Sequence, residues 1–523
     1  MLLTANLKIW RRLSRNTMSN LAGTIVPMAV GFFLMPFVVR HIGAAAFGIW
    51  LLAGSVIGYM GLISLGLGPT VTKKSAEYLA LRDTVGLNQI LSTVFVLYLG
   101  LGTILAIAVL ALAPVIPQVF HTDAQQVDQL KWGFWLVGLQ AALGFPFAIF
   151  GGLVQGLHDF HISNGIVVIN SVFRLIGTVI LLNAGLGLIS LLVLEFFLSA
   201  VGWTLQIVWV KKRIPELSIS LSLYDSKQVR SLLGFSGAMF LWRAAGFTVH
   251  RSSRIIIGLF MPLSNITIYE VGNRIIDYSR TVFTSFLNPL LPLSSELQAQ
   301  AITKSLRAIY LRGTKIVFAA YLATSAVLYL WGESFIRLWM GHEFVPAALL
   351  LQILLIGNLY QAQNVVAHAM LPGMGFLRVF SRIMAAYPIV CVLLSLLLIY
   401  PFGLVGVAVA ATATFIILET YFLRQILPIF EISLAELLRG CHLPSMMALL
   451  PALAFAMVSR LFLPVNTWTG LVAVVVVFLV IYAAAFWLWG LSRSEKESLR
   501  ALWNFFLKRK NSYEKIDPNF DSE

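Results

Sequence analysis

The stretch FLWRAAGFTVHRSSRIIIGLF is long and apolar enough to cross a membrane as a helix, yet it carries three arginines and a histidine. At about 100° per residue, Arg243, His250 and Arg254 lie within about 40° of one another on one helix face, with Arg251 beside them. An arginine near the bilayer centre costs on the order of 2.5 to 3.5 kcal/mol, so this face should meet protein or water. The spacing favours an anion-binding face. The alternative is structural, with Arg251 and Arg254 reaching the outer interface and Arg243 pairing with an acid elsewhere.

The next apolar stretch contains YEVGNRIIDYSR and supplies two acids. Glu270, Arg274 and Asp277 follow one another at i, i+4 and i+7, so they share a helix face and can pair. The two stretches together carry five arginines, Arg243, Arg251, Arg254, Arg274 and Arg280. If the acidic face meets the arginine stripe, the two acids neutralise only some of these positive charges. The surplus positive charge predicts an anionic ligand.

Other polar groups inside apolar stretches are less specific. Arg174 lies in the middle of one stretch, and Glu195 in the following stretch is a candidate partner. The two residues either form a structural pair or belong to a cavity that the arginine stripe also lines. Three histidines either carry protons or hydrogen-bond within packed helices: His41, His250 and His368. Four neutral groups are candidates to hydrogen-bond the hydroxyl groups of a ligand: Gln140, Asn358, Gln361 and Asn364. Two of them, Gln361 and Asn364, are equally candidates for links between helices.

The composition places these charges in a membrane protein. Apolar residues make up 59% of the chain and charged residues 11%, and the mean hydropathy is +0.87. The apolar runs are continuous and do not alternate, which favours helices over a barrel. The sequence therefore predicts an all-α polytopic membrane protein.

About fourteen transmembrane helices follow from the apolar runs, at about 20 residues for each crossing. The predicted spans lie near residues 17–39, 47–68, 90–113, 132–154, 164–182, 187–210, 233–260, 266–288, 314–331, 346–370, 380–399, 403–423, 444–463 and 468–490.

Lysine and arginine are distributed unevenly between alternate connections. If the N-terminus is cytoplasmic, the outside connections hold only Arg40, Lys131 and Arg337, and the basic clusters all lie inside. This asymmetry predicts that both termini are cytoplasmic, and it explains the net charge of +15 without nucleic acid. The basic, amphipathic tail at 491–523 is predicted to lie on anionic lipid.

A polar connection at 211–232 divides the chain into comparable halves. A shift of about 220 residues brings PTVTKKSAEY over PLLPLSSELQ, a weak internal similarity of the kind that repeats in transporters leave. We predict two six-helix lobes, an N-lobe at residues 17–210 and a C-lobe at 233–424, joined by a linker at 211–232. A basic segment at 1–16 precedes them, and two further helices at 425–490 and a cytoplasmic tail at 491–523 follow.

Signatures of enzymes and metal sites are missing from the sequence. It contains no phosphate-binding loop, no HExxH and no nucleophile elbow. Cys391 and Cys441 lie in or beside predicted spans and predict neither a disulfide nor a metal site. We therefore expect a transporter with no catalytic residue, metal site or cofactor. Coupling to Na⁺ or H⁺ stays open.

Three segments resemble motifs of the polysaccharide-transporter branch of the multidrug, oligosaccharidyl-lipid and polysaccharide exporter superfamily, which includes O-antigen flippases. They are RHIGAAAFGIW, GLISLGLGPTVTKKSAEYLALRD and RIIIGLFMPLSNITIYEVGNRI. The resemblance covers about residues 15–490 and rests mostly on spaced glycines and aromatics. The matching positions are Gly43, Phe47 and Gly48 in the first segment and Arg254, Gly258 and Tyr269 in the third.

The resemblance implies a bacterial inner-membrane protein with two six-helix lobes around a central cavity. Such proteins move undecaprenyl-pyrophosphate-linked sugars to the outer leaflet, in the synthesis of surface polysaccharides such as the O-antigen of lipopolysaccharide. Cavity arginines would meet the pyrophosphate, so we expect the substrate-binding residues to be Arg243, His250, Arg254, Arg274 and Arg174. The expected charge-pairing acids are Glu270, Asp277 and Glu195. Expected partners are the lipid-linked oligosaccharide, anionic membrane lipids, and a polysaccharide polymerase with its chain-length machinery.

Two positions depart from the family pattern, because Ser64 and Ser253 stand where many relatives carry an acid. This puts any ion-coupling role of those acids in doubt. Three other functions stay open: a drug exporter of the same superfamily, which should have an acidic cavity; a glycan polymerase or glycosyltransferase, which should have catalytic acids and a large outer loop; and a scaffold for a polysaccharide assembly.

Overall fold

The computed structural model describes residues 2–63, 67–120, 124–229, 251–287, 289–300, 302–462 and 465–497. These residues form helices joined by short turns, and no β-strand occurs among them. Nine of the described helices are long and apolar enough to cross a membrane. The prediction of an all-α, multi-pass membrane protein is confirmed.

The described residues pack into two compact units. Unit 1 comprises Met1–Tyr278 and Ser381–Thr414, and unit 2 comprises Ser279–Phe380 and Phe415–Glu523. This division follows packing, whereas the predicted lobe boundary at 211–232 follows a sequence repeat. The lobe boundary therefore stays a prediction.

Unit 1 is built mainly from long helices. They are α1 (Leu2–Ile63), α2 (Leu67–Leu81), α3 (Thr84–Leu112), α4 (Ile116–Val119), α5 (Ala124–Gly156), α6 (Phe160–Asn183), α7 (Leu188–Arg213), α8 (described over 251–260) and most of α9 (Ser264–Leu287). Helix α1 packs against α5, α6 and α7, and α5 packs against α2 and α3. The described end of α8 and the start of α9 are joined by a turn of three residues, so the two helices are close neighbours.

Two helices are too long for a single crossing and bend at a glycine. The apolar part of α1, Ser19–Tyr59, has 41 residues, about 60 Å at 1.5 Å per residue, which is twice the bilayer core. It is broken at Gly43, with φ 82° and ψ 162°. Helix α14 (Leu377–Ile429) is broken at Gly403, with φ 55° and ψ −133°. Both conformations are accessible mainly to glycine, so each helix consists of two helical segments.

Unit 2 contains the remaining helices. They are α10 (Leu290–Ala299), α11 (Thr303–Trp339), α12 (Ala347–Ala362), α13 (Val365–Met370), the second part of α14, α15 (Leu434–Leu437), α16 (Leu443–Phe462) and α17 (Trp468–Ala485). Small buried residues at four-residue intervals on α16, Ala448, Ala452 and Ala456, belong to the cluster that packs α11, α16 and α17 together. The Tyr482 hydroxyl donates to the backbone oxygen of Ala319 over 3.0 Å.

The predicted span at 346–370 is wrong as one continuous helix. The structure ends α12 at Ala362 and begins α13 at Val365. Between them, Asn364 directs its side-chain amide to the backbone and side chain of Glu419 in α14. Asparagine side chains offer the backbone alternatives to a continuous helix, and here a contact with another helix fixes the interruption.

Candidate functional site

A buried ion pair joins the described end of α8 to α9. Arg254 donates through Nε and Nη2 to the two carboxylate oxygens of Glu270, over 3.0 and 2.7 Å. The exposed fractions of the two side chains are 4% and 1%. Nη1 of Arg254 donates to the Ser55 hydroxyl over 3.3 Å, and that hydroxyl donates to the backbone oxygen of Leu51. Arg254 therefore points into unit 1, and its hydrogen bonds link α8 to α9 and to α1.

A second arginine shares the same carboxylate. Arg274 lies one turn after Glu270 on α9, and its Nη2 is 2.8 Å from Oε1 of Glu270. The Arg274 side chain is 30% exposed, and its guanidinium lies 5.9 Å from the centre of the Tyr278 ring. One carboxylate thus serves two guanidinium groups, which leaves one positive charge in excess at this cluster.

Asp277 does not pair with Arg254, as the helix spacing had allowed. It accepts a hydrogen bond from Nδ2 of Asn273 over 3.1 Å, and it lies near enough to Arg251 and Arg274 to interact with both electrostatically. Asp277 therefore lowers the positive potential near Arg251 and Arg274 but takes no part in the ion pair of Arg254 and Glu270.

The predicted pair between α6 and α7 is present. Nη2 of Arg174 donates to Oε2 of Glu195 over 2.8 Å. The exposed fractions of these side chains are 36% and 20%, so this pair is less buried than the pair of Arg254 and Glu270.

The two ion pairs border one cavity of about 400 Å³ inside unit 1. Four arginines and one glutamate line it: Arg174, Arg251, Arg254, Arg274 and Glu195. If Glu270 and Asp277 behind the wall are counted as well, four positive charges still meet three negative ones. An anion entering this cavity would find guanidinium groups already oriented by carboxylates, which is the arrangement that favours anion binding.

The rest of the cavity wall comes largely from α1. Its apolar and aromatic contributors include Met28, Leu34, Met35, Phe47 and Trp50. Phe47 and Trp50 meet edge to face, with ring centres 5.5 Å apart. Flat aromatic and apolar faces beside a few charged groups are typical of a small-molecule site.

Three close contacts set α1 against α9 at the cavity. A Cβ on Gly31 would lie 2.9 Å from the Tyr278 hydroxyl, so the glycine admits that side chain. Gly48 leaves no room for a Cβ against the backbone oxygen of Leu263. Thr267 donates to the backbone oxygen of Ala44 over 2.6 Å. Gly48 of RHIGAAAFGIW thus has a packing role: it lets the backbone of the turn before α9 approach α1 closely.

The structure brings together three of the predicted substrate-binding residues, Arg174, Arg254 and Arg274, at this cavity. Arg243 and His250 lie outside the described residues, as does Ser64. Ser253 is buried, and its hydroxyl oxygen accepts a hydrogen bond from Tyr269 over 3.4 Å. Sequence reasoning placed Arg251 at the edge of the stripe and did not identify Ser55, Trp50 or Tyr278.

Two of the neutral polar candidates link helices within a unit. Nε2 of Gln140 on α5 donates to the Ser199 hydroxyl on α7 over 3.0 Å, and Asn364 bonds to Glu419. The Nδ1 atom of His41 lies 2.8 Å from the backbone oxygen of Phe37 in its own helix. The contact of Asn364 agrees with its predicted role as a link between helices, whereas the link that Gln140 makes was not predicted.

Comparison with known proteins places the chain in a family. The profile of a family described as polysaccharide biosynthesis protein matches residues 37–349, more than half of the chain. A *Haloferax volcanii* protein whose name describes a low-salt glycan biosynthesis flippase is 21% identical over 410 residues, covering 77% of this chain and 81% of that protein. A *Shigella flexneri* protein whose name describes an O-antigen transporter is 20% identical over 414 residues, covering 76% of this chain and 93% of that protein.

A solved structure shares the fold. The lipid II flippase MurJ, in an inward closed conformation, superimposes with a TM-score of 0.72 at 13% identity, over 90% of this chain and 98% of that one. The profile match shows that the chain belongs to the polysaccharide biosynthesis protein family, and with the flippase and transporter relatives it supports the polysaccharide-transporter branch of the multidrug, oligosaccharidyl-lipid and polysaccharide exporter superfamily.

Proposed function

We propose that this protein is a flippase that moves undecaprenyl-pyrophosphate-linked oligosaccharide across the bacterial inner membrane by alternating access, in the synthesis of surface polysaccharide. The observation that carries the proposal is the cavity of unit 1, whose lining has four arginines and one glutamate. A pyrophosphate is a compact anion with many acceptor oxygens, and guanidinium groups bind such anions through paired hydrogen bonds.

Transport rather than catalysis follows from the family relationship, since the relatives described above are named as flippases or transporters. Within the superfamily, a drug exporter for cationic compounds is the rival. A cationic compound entering this cavity would meet like charge, which costs binding energy, whereas a pyrophosphate would meet opposite charge. The cavity charge therefore favours the anionic, lipid-linked substrate.

Fourteen crossings, with both termini in the cytoplasm, complete the proposed topology. The two bent helices, α1 with its break at Gly43 and α14 with its break at Gly403, are each long enough to cross the membrane twice. Adding α9, the α12–α13 segment and the span that the sequence predicts at 233–260 to the long apolar helices gives support for fourteen crossings. The uneven distribution of lysine and arginine supports the orientation.

A leaflet-resolved assay in cells tests this function. In a strain that lacks the protein, the lipid-linked glycan should accumulate in the inner leaflet, where a membrane-impermeant probe applied to spheroplasts does not reach it. Wild-type protein should restore labelling. Arg174→Gln should restore it poorly at equal membrane levels, and Arg337→Gln, which alters an exposed arginine paired with Glu333 in unit 2, should restore it fully. Normal labelling in the deletion strain would overturn the proposal.

A further inference from the structure

Unit 2 holds a second buried cluster of ionisable side chains, separate from the cavity of unit 1. Glu419 on α14 has no exposed side-chain surface. Its Oε2 accepts a hydrogen bond from Nδ2 of Asn364 over 2.7 Å, and its oxygens lie 3.1 and 3.2 Å from Nε2 of His368. Burying a carboxylate is unfavourable unless it is paired and hydrogen-bonded, and this one has both kinds of partner.

The histidine ring is held in place for this contact. His368 stacks on Phe422, with ring centres 4.3 Å apart and an angle of 5° between the planes. Its side chain is 17% exposed, whereas that of Glu419 is fully buried. A proton can therefore reach Glu419 by way of the imidazole, which has two nitrogens and can take a proton at one while giving one from the other.

The surroundings of the pair come from α10, α11, α12 and α14. Ser294 of α10 donates to the backbone oxygen of Met370, and Gly313 of α11 lies against Val366, so these contacts with α13 carry no charge. Tyr360 of α12 hydrogen-bonds to Thr420. The cations of α11 are exposed or paired with other acids: Lys304 and Arg312 are exposed, and Arg307, Lys315 and Arg337 pair with Glu436, Glu495 and Glu333. Arg424 of α14 is exposed.

Asn364 can serve both protonation states of the carboxyl group. Its Oδ1 is buried and accepts no hydrogen bond within the described part of the chain, while its Nδ2 donates to Glu419. Rotation of the amide by half a turn exchanges the two atoms: the oxygen then faces the carboxyl group as an acceptor, and the hydrogen bond from Nδ2 to the backbone oxygen of Glu419 is given up. A charged Glu419 takes a hydrogen bond from the amide nitrogen, and a protonated Glu419 gives one to the amide oxygen.

We propose that His368 and Glu419 form a proton-binding site that takes up and releases one proton during transport. A proton binds Nδ1 of His368, the Nε2 proton passes to Glu419, and one N–H bond is broken as one O–H bond forms. The imidazole ends neutral with its proton on Nδ1, and the carboxyl group ends neutral. The net charge of the buried pair changes from −1 to zero. That transport uses this proton rests on the proposed flippase function; proton binding itself does not.

Two observations favour a proton over a metal cation. The described residues contain no cluster of three or more histidine, cysteine, aspartate or glutamate side chains placed to hold a metal ion. Here one carboxylate accepts a hydrogen bond from an amide nitrogen and faces an imidazole nitrogen, which donates to it while the carboxyl group is ionised. His368 lies two residues before the predicted end of the span at 346–370, and Glu419 lies four residues before the predicted end of the span at 403–423. We expect both ends to face the cytoplasm, which would supply the proton.

Infrared titration of the purified protein tests proton binding without any glycan. As the pH is lowered, wild-type protein should gain a carbonyl band from a protonated, buried carboxyl group. Glu419→Gln should lose that band, and Glu436→Gln, which removes a partly exposed acid of the same unit, should keep it. Equal bands in the wild type and Glu419→Gln, or no such band in the wild type, would overturn the proposal.

A second variant keeps Glu419 in place in case its replacement prevents folding. His368→Gln retains a hydrogen-bond donor but cannot carry the proton, so the band of Glu419 should appear at a different pH. An unchanged midpoint would show that His368 takes no part, which contradicts the proposed pair.

Transport measurements separate this proposal from the proposed function. In proteoliposomes that flip a lipid-linked glycan, a pH gradient should change the rate for wild type and for Glu436→Gln, but not for Glu419→Gln. If wild type flips equally fast with and without the gradient, proton-linked transport is wrong. If wild type flips no glycan at all, the flippase function fails, and the infrared titration still decides whether the site binds a proton.

Discussion

Arg254 and Glu270, 16 residues apart in the sequence, form a two-point ion pair in which both side chains are almost fully buried. The same carboxylate also faces Arg274. The carboxylate therefore fixes two guanidinium groups at the wall of the cavity: that of Arg254, which is almost fully buried, and that of Arg274, which is partly exposed. Positive charge at the cavity thus depends on an acid that orients it.

Glu270→Gln should destabilise the protein strongly. The substitution leaves Arg254 buried without a carboxylate, and breaking a buried pair in this way costs about 3 to 5 kcal/mol. Thermal unfolding in detergent should show a large drop in the midpoint. Glu333→Gln removes the exposed partner of Arg337 on α11 and should change stability by about 0.5 kcal/mol or less. Equal midpoints for the two variants would contradict a structural role for Glu270.

Gly43→Ala should also destabilise the protein, through the backbone alone. Gly43 has φ 82°, and a Cβ there would meet nothing within 4 Å, so the cost is conformational strain of about 1 to 3 kcal/mol. Gly165 on α6 has equally free space around its Cβ position and lies inside a helix. Gly165→Ala should therefore be neutral or stabilising by about 0.5 to 1 kcal/mol. An unfolding midpoint of Gly43→Ala at or above that of wild type would show that the bend of α1 does not need glycine.

The ion pair of Lys315 and Glu495 should lose its stabilising effect at low pH. The two side chains are 2.8 Å apart, and Glu495 follows the last apolar helix. Burial alone would raise the pKa of Glu495, but hydrogen bonds from Lys315 and Ser492 outweigh it and hold the pKa below the ordinary value of 4.5. Because the pKa is lower in the folded state, the stabilisation is complete above about pH 4.5 and disappears as the pH falls through the folded pKa. The difference in unfolding midpoint between wild type and Glu495→Gln should therefore shrink on acidification. A difference that is constant with pH would contradict this assignment.

Much of the site in unit 1 could be predicted because helix periodicity is local. The spacing of Glu270 and Arg274 places them one turn apart on any helix, and burial in an apolar span makes a partner for Arg254 obligatory. The pair of Arg174 and Glu195 follows from the same reasoning on consecutive spans. Ser55 approaches from elsewhere in the sequence and carries no local signal, because its role depends on the packing of α1 against α8. Tyr278 lies one helical turn after Arg274 on α9, so its spacing was a signal that the sequence reasoning missed.

The site in unit 2 shows the other limit of sequence reasoning. His368 and Asn364 were recognised as polar residues in a predicted span, but Glu419 was not, since it lies near the end of its span in ETYFLR, where an acid is unremarkable. It is fully buried beside Asn364, which lies at the break between α12 and α13, and that proximity has no local signal in the sequence. Gly43 lies in a predicted connection and Gly403 begins the predicted span at 403–423, whereas their positive φ angles are a property of the folded chain.

Reconstituted flipping of a pyrophosphate-linked glycan is the most direct test of the cationic cavity. Arg274→Gln removes a partly exposed cavity charge and leaves Arg254 paired with Glu270, so the fold should persist. A charge-assisted hydrogen bond contributes about 1.5 to 3 kcal/mol, so flipping should slow by about tenfold or more, with an unfolding midpoint close to that of wild type and Arg337→Gln unaffected. If Arg274→Gln flips the glycan at the wild-type rate, the cavity of unit 1 does not bind the pyrophosphate through this arginine, and the central claim is wrong.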